Sequence, residues 1–202
     1  MSASVCGAIR QVLVPEIQPA EPSPLLIALT GPAGCGKSTA AHRLGAWNLG
    51  GMYRVRFAGP LKAALRAIGL TEAQVDGDEK EIPCDLLCGK TPRHAMQTLG
   101  VEWGRTHIGA DLWARAAMAQ AEALRASGRP VVIDDCRFDN EAAAVTAAGG
   151  HVIYLTNRRA EGVPEHASER GVSFTHITAR VSSAGSPEET ARAILRACGV
   201  SY

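Results

Sequence analysis

The chain has 202 residues, 46% hydrophobic and 20% charged, with a formal net charge of +1, which suits one globular domain with a full core and argues against two large ones. So even a balance provides no basic field for non-specific nucleic-acid binding, and no apolar run approaches the roughly 20 residues needed to span a bilayer. Any affinity for an anion must come from a local site.

Residues 1–24 end in the turn-rich Pro15–Pro24. They lack a charged stretch followed by an apolar core, so they are expected to be a flexible or surface-packed extension rather than a signal peptide. The apolar run Leu25-Leu26-Ile27-Ala28-Leu29 predicts a buried parallel strand. Immediately after it stands Gly31-Pro32-Ala33-Gly34-Cys35-Gly36-Lys37-Ser38, a full G-x-x-x-x-G-K-[ST] phosphate-binding loop opening a helix through Thr39 to Leu44. Gly31, Gly34 and Gly36 let the backbone N–H groups turn inward at a helix N-terminus, where the dipole favours phosphate. Lys37 is placed to reach the β and γ phosphates and Ser38 to offer a hydroxyl to Mg²⁺. With only four lysines against seventeen arginines in the chain, one lysine sits where this chemistry needs it.

Met52–Phe57 reads as a second strand and Pro60–Ile68 as a helix, with Pro60 suited to its first turn. A polar insertion, Thr71–Lys90, precedes a helical run around Thr91–Trp103, and an Ala-rich helix from about Asp111 to Ala126 stops at Ser127-Gly128-Arg129-Pro130. Val131–Asp135 is the next buried strand, with Asp134 and Asp135 at its C-terminal end. A phosphate-loop enzyme needs a carboxylate there to hold Mg²⁺ or its water shell; an N-cap for the following helix is the alternative role. Arg137 follows at the ligand edge, as a charge stabiliser or an ordinary surface cation. Phe138–Ala148 predicts a helix, His151–Leu155 a strand, His176–Val181 an edge strand and Pro187–Ala197 a final helix. Alternating strands and helices predict an α/β fold of three layers, α/β/α, around a mostly parallel sheet.

Arg93 and Gln97, four apart, share a helical face that is able to hold a phosphate and read a base edge, although a solvated face is the simpler reading. The polar segment Asn157–Gly171 has the profile of a lid. The six cysteines, one of them inside the loop, suit a reducing cytosol; Cys84 and Cys88 lack a second pair to complete a zinc site.

Taken together, Gly31–Thr39, Phe57–Lys62, Thr91–Arg105, Asp134–Glu141 and His166–Glu169 resemble, in the same order, the phage-type deoxynucleoside monophosphate kinase family over roughly residues 25–181. The resemblance implies a kinase domain over residues 25–202, with an acceptor-binding helical region at about 58–110 and a lid at about 157–171. It implies transfer of the ATP γ-phosphate to a deoxynucleoside 5′-monophosphate, with ATP on Gly31, Ala33, Gly34, Cys35, Gly36, Lys37, Ser38 and Thr39. Mg²⁺ would be held by Ser38, Asp134 and Asp135, and Lys37, Arg137, Asp134 and Asp135 would serve catalysis. The implied acceptor side is Lys62, Arg93, Gln97, Trp103 and Arg105, and the lid group is Arg158, Arg159, His166, Ser168, Glu169 and Arg170. Implied partners are the two small-molecule substrates, with no nucleic acid or membrane, in the cytoplasm (the host's, if phage-encoded). Another small acceptor, such as dephospho-coenzyme A or a polyol, and a nucleotide-dependent switch are the competing readings. The accepted base, selection of deoxyribose and the choice between monomer and homodimer have no sequence signature.

Overall fold

The computed structural model describes residues 23–46, 51–157 and 172–200. Five strands, β1 (Leu26–Thr30), β2 (Tyr53–Val55), β3 (Val131–Ile133), β4 (His151–Thr156) and β5 (Ala179–Ser182), form one sheet in the order β2-β3-β1-β4-β5, every pairing parallel. The helices are α1 (Lys37–Gly45), α2 (Gly59–Ala67), α3 (Glu72–Val75), α4 (Pro92–Gln97), α5 (Leu112–Ala126), α6 (Asp139–Ala147) and α7 (Pro187–Ala197). All five residues of β1 are buried, because the strand lies between β3 and β4 and has helices on both faces. Leu26 and Ala28 face α5 and α6, in a core with Val131, Ile133, Ala117 and Val145. Ile27 and Leu29 face α1 and α7, against Leu44, Ile153 and Ile194. The period-two alternation of an extended chain thus feeds two separate apolar layers, which makes the three-layer α/β/α architecture expected from the sequence.

Local chemistry sets the element boundaries. Helix α7 starts at a capping box in which Ser186 accepts from the Glu189 N–H and Glu189 accepts from the Ser186 N–H, with Pro187 in the first turn. A similar box between Thr71 and Gln74 starts α3 inside the polar insertion. That insertion is not a bare loop: α3 and two short 3-10 turns, Glu79–Glu81 and Asp85–Leu87, organise it. Leu61, Leu65, Leu70, Val75 and Trp113, with Leu87, Met96 and Leu99 against them, form a small second core beneath α2, α3 and α4.

The helical run expected around Thr91–Trp103 departs from α geometry. After α4 the chain winds as a π-helix over Thr98–Ile108, closed by an i→i+5 bond from the Gly109 N–H to the Gly104 carbonyl (3.0 Å). Gly104 is buried in this segment, and the Trp113 indole lies against it while donating to the Gly100 carbonyl (2.9 Å). A Cβ on Gly104 would meet Trp113 Nε1 at 2.4 Å and its ring carbons at 2.7 Å. A rigid indole cannot yield there. Gly104→Ala is therefore expected to cost about 1–3 kcal/mol by overpacking, lowering Tm by roughly 3–10 °C for a domain of this size. Thermal unfolding measures it, and an unchanged Tm would contradict this packing.

The extension (residues 1–22 of it) and the lid residues Arg158, Arg159, His166, Ser168, Glu169 and Arg170 lie outside the described residues. Among the described residues no helix is long and apolar enough to cross a membrane.

Candidate active site

The loop after β1 has the backbone its glycines predict. Gly31, Gly34 and Gly36 take φ of 132°, 74° and 92°, and Gly36 caps α1 in the left-handed conformation. At Gly31 a Cβ would stand 2.4 Å from the Leu155 carbonyl oxygen, so only glycine lets the loop leave the sheet so close to β4. No side chain caps the N-terminus of α1, so its first N–H groups are left for an anion to satisfy. Ala33, Gly34, Ser38 and Thr39 are exposed there, whereas Cys35 is buried beneath the loop. Lys37 bends back over the loop, donating to the carbonyls of Gly31 and Pro32, both at 2.7 Å. Burial lowers its pKa, the nearby Cys35 opposes that, and the charge of Arg137 lowers it further.

Asp134, the residue after β3 beside this loop, is only 3% exposed. Burial opposes its ionisation, but the hydrogen bond and charge of Arg54, with help from the Ser38 hydroxyl and Arg56, hold the carboxyl below its usual range. Arg54 bonds one carboxylate oxygen. The other, Oδ1, is buried with no hydrogen-bond partner, the Arg56 Nε standing 3.4 Å away. An unsatisfied buried carboxylate oxygen next to the loop hydroxyl fits a hard cation. Mg²⁺ keeps most of its ligands as water and substrate phosphate oxygens, so one carboxylate and one hydroxyl suffice. Among the described residues there is no group of three or more histidines, cysteines or acids that could hold a metal ion.

Asp135 has a different place. Its two oxygens accept the N–H groups of Phe57 (2.8 Å) and Ala58 (3.0 Å), clamping the turn between β2 and α2 to the end of β3. Burial raises its pKa; the two backbone donors oppose the shift and the neighbouring Asp134 adds to it. Neither aspartate caps α6, whose N-terminus is covered instead by Glu141. Arg137 is exposed at the same sheet edge, near enough to Lys37 for the two charges to interact.

Next to Asp134 lies a cluster of cations. Arg56 (2.8 Å), Lys62 and Arg66 converge on the carboxylate of Asp76, and the Lys80 ammonium donates to the Asp76 carbonyl (3.0 Å). Burial works against charge on Asp76, yet the hydrogen bond and charge of Lys62, then Arg56 and Arg66, outweigh it and hold the carboxyl at about 2. Of the residues expected on the acceptor side, Lys62 belongs to this cluster. Arg93 stands at its rim, paired with Glu81 (2.8 Å) and within electrostatic range of Lys80; Gln97 is exposed one turn further on. Trp103 is 47% exposed on the π-helix, its ring centroid 6.2 Å from that of Trp113. Arg105 is separate: its guanidinium pairs with the buried Glu141 (2.9 Å) and lies 4.0 Å above the Phe138 ring.

Arg54, Arg56, Arg66, Asp76, Lys80 and Glu141 carry no role in the sequence analysis. Arg54 lies in the edge strand β2 and Arg56 just beyond its end, and two cations spaced two apart in a run that reads as a strand were the available signal. Glu141 stands three residues after Phe138, the position of a capping-box acid. Asp76 had no signal, being one of several acids in the polar insertion.

Against known proteins, residues 90–192 match the family model described as deoxynucleotide monophosphate kinase. A protein of Acanthamoeba polyphaga mimivirus, provisionally named a deoxynucleotide monophosphate kinase, is 32% identical over 162 residues, covering 72% of this chain and 80% of that protein. Solved structures with a similar course include an APS kinase mutant of Mycobacterium tuberculosis (TM-score 0.46, 15% identity, covering 89% of this chain and 100% of that one). A gluconokinase of Sinorhizobium meliloti (TM-score 0.45, 15% identity, 87% and 92% covered) and a sugar kinase of Janibacter sp. (0.47, 13%, 89% and 96%) are others.

Proposed function

Because this chain belongs to the deoxynucleotide monophosphate kinase family, we propose that it transfers the γ-phosphate of ATP to the 5′-phosphate of a deoxynucleoside monophosphate. The observation that carries this reading is the place of Asp134, which follows β3 beside the loop carrying Lys37 and Ser38, pairs with Arg54 and Arg56, and leaves one buried carboxylate oxygen without a hydrogen-bond partner. One carboxylate joins a triphosphate loop to a cation cluster, as a reaction between two phosphates requires.

Phosphoryl transfer asks the protein for alignment and charge neutralisation rather than covalent chemistry. The uncapped N-terminus of α1 and the loop N–H groups bind the donor phosphates, and Lys37 exchanges the Gly31 and Pro32 carbonyls for phosphate oxygens. Bound Mg²⁺, held by Ser38 and Asp134, would neutralise charge on the β and γ phosphates. Arg56 and Lys62, with Arg54 behind them, take the acceptor 5′-phosphate, releasing Asp76 and Asp134 as they do so. These two carboxylates act as counter-ions that pre-organise the cations. Asp135 holds the β2–α2 turn that presents Arg56 and Lys62. Arg93 serves at the rim of the acceptor site, Gln97 and Trp103 lie on the acceptor-side helices as candidate base contacts, and Arg137 stands by the transferring group. The acceptor oxygen is already anionic, so no strong general base is needed.

A coupled ADP-release assay over the four common dNMPs and their ribose counterparts tests the reading. Turnover with at least one dNMP is expected; turnover of none would overturn it. Within that assay Arg56→Ala should raise the dNMP KM about 10- to 100-fold, the worth of one charge-assisted hydrogen bond to phosphate. The ATP KM should stay within about twofold, and equal rises in both would remove Arg56 from the acceptor site.

A further inference from the structure

Glu141 is a buried acid that the transfer chemistry does not use. It is 3% exposed at the start of α6. One oxygen, Oε2, accepts the N–H groups of Arg137 (2.8 Å) and Phe138 (3.2 Å), so it holds the backbone of the turn that carries Arg137. The other, Oε1, accepts from Arg105 (2.9 Å) on the π-helix. Arg105 is held from two more sides, over the Phe138 ring at 4.0 Å and by the Ala110 carbonyl at 3.3 Å. Asn140 adds a second tie to the same region, donating to the Ala110 carbonyl (3.1 Å) and to Asp111 (2.8 Å).

We infer that Glu141 is a positioning residue, coupling the seat of the π-helix on the acceptor side to the direction of the Arg137 turn on the donor side. The placement of Arg137 near the transferring phosphoryl group rests on the kinase reading above; the mechanical link between helix and turn does not. A carboxylate suits this link because it accepts on both oxygens, whereas an amide must turn a donor toward either Arg105 or the backbone N–H groups. π-helical segments are rare and often mark functional sites, and a movement of this one on acceptor binding reaches the turn through the two carboxylate oxygens of Glu141.

The charged and titratable groups around Glu141 are Arg105 from the π-helix and Asp135, Cys136, Arg137 and Asp139 from the end of β3 and the start of α6. Burial raises the Glu141 carboxyl to about 7; the Arg137 N–H opposes the shift, Asp135 adds to it, and Arg105 and the Phe138 N–H oppose it. Protonation removes its charge, so the tie to Arg105 weakens as pH falls through that value.

Glu141→Gln, Arg105→Ala and the double variant of the full chain test the link by amide exchange of residues 135–141 and by kinetics with a turned-over dNMP. Each single variant is expected to exchange about 10-fold faster at the turn and to lose about 10-fold in kcat, with the ATP KM within about twofold. The double variant should be no worse than the worse single one. Wild-type kcat should fall as pH drops through about 7, and this limb should be missing in Glu141→Gln. Unchanged exchange at the turn in Arg105→Ala overturns the inference, as do additive losses in the double variant. If Glu141→Gln does not fold, Arg105→Ala alone decides by the same exchange measurement. If wild type phosphorylates no dNMP, the kinase reading fails while the exchange result still decides the link.

Discussion

Lys37→Met is expected to lower kcat for phosphoryl transfer by about 10³-fold or more, while the protein still unfolds cooperatively within a few degrees of wild type. Methionine retains much of the aliphatic packing of the stem and deletes the ammonium, which in this structure bonds the Gly31 and Pro32 carbonyls. Losing those two bonds is a modest cost, because the freed carbonyls sit in a half-exposed loop open to water. Losing the charge is not modest. A preorganised donor aimed at developing transition-state charge is worth roughly 3–4 kcal/mol in a water-excluded site, and a full cation on the β and γ phosphates exceeds that. Steady-state kinetics beside a thermal melt check it. A near-normal kcat would refute the assignment of the loop as the donor site.

Asp134→Asn should produce the next largest loss, about 10²- to 10³-fold in kcat, together with a higher Mg²⁺ concentration for half-maximal rate. The substitution keeps the shape of the side chain but removes the negative charge that Ser38, Arg54 and Arg56 surround. It also leaves two arginines without their buried partner, and breaking a buried pair costs about 3–5 kcal/mol, so Tm should fall as well. Titrating Mg²⁺ separates the two effects. A destabilised but otherwise competent enzyme would show a normal Mg²⁺ midpoint below its melting range, and that outcome would remove Asp134 from the metal site. Asp135→Asn, by contrast, acts on the Phe57 and Ala58 N–H groups and should leave the Mg²⁺ midpoint alone.

Much of the architecture was legible in the residues because it depends on local patterns. Leu25–Leu29 is an unbroken apolar run since both faces of its strand are covered, and Pro187–Ala197 reads as a helix from its capping residues and its apolar stripe. The loop Gly31–Ser38 is a contiguous motif, so its spacing alone states its chemistry. What escaped were contacts between segments far apart in the chain. Arg54 and Asp134 are 80 residues apart, and Arg105 and Glu141 are 36 apart. No local spacing predicts either pair. The π-winding of Thr98–Ile108 was hidden for a related reason: it is stabilised by the close seat of Trp113 on Gly104 and its bond to Gly100, not by the propensities of the residues within it.

The sequence by itself determined that this chain is an α/β protein with a phosphate loop on a buried strand, and that it carries the motifs of its family in order. Those properties are set by periodicity and by short contiguous patterns, which physics reads within a few residues. Only the tertiary structure decided which partners the two adjacent aspartates meet. Parallel pairing of β3 with β1 brings Asp134 to Ser38, whereas the turn after β2 captures both oxygens of Asp135. Likewise, it paired Arg93 with Glu81 and Arg105 with Glu141, and brought Arg54 and Arg56 to Asp134. A charged side chain's role follows from the partner that desolvates and satisfies it, and that partner is chosen by the fold.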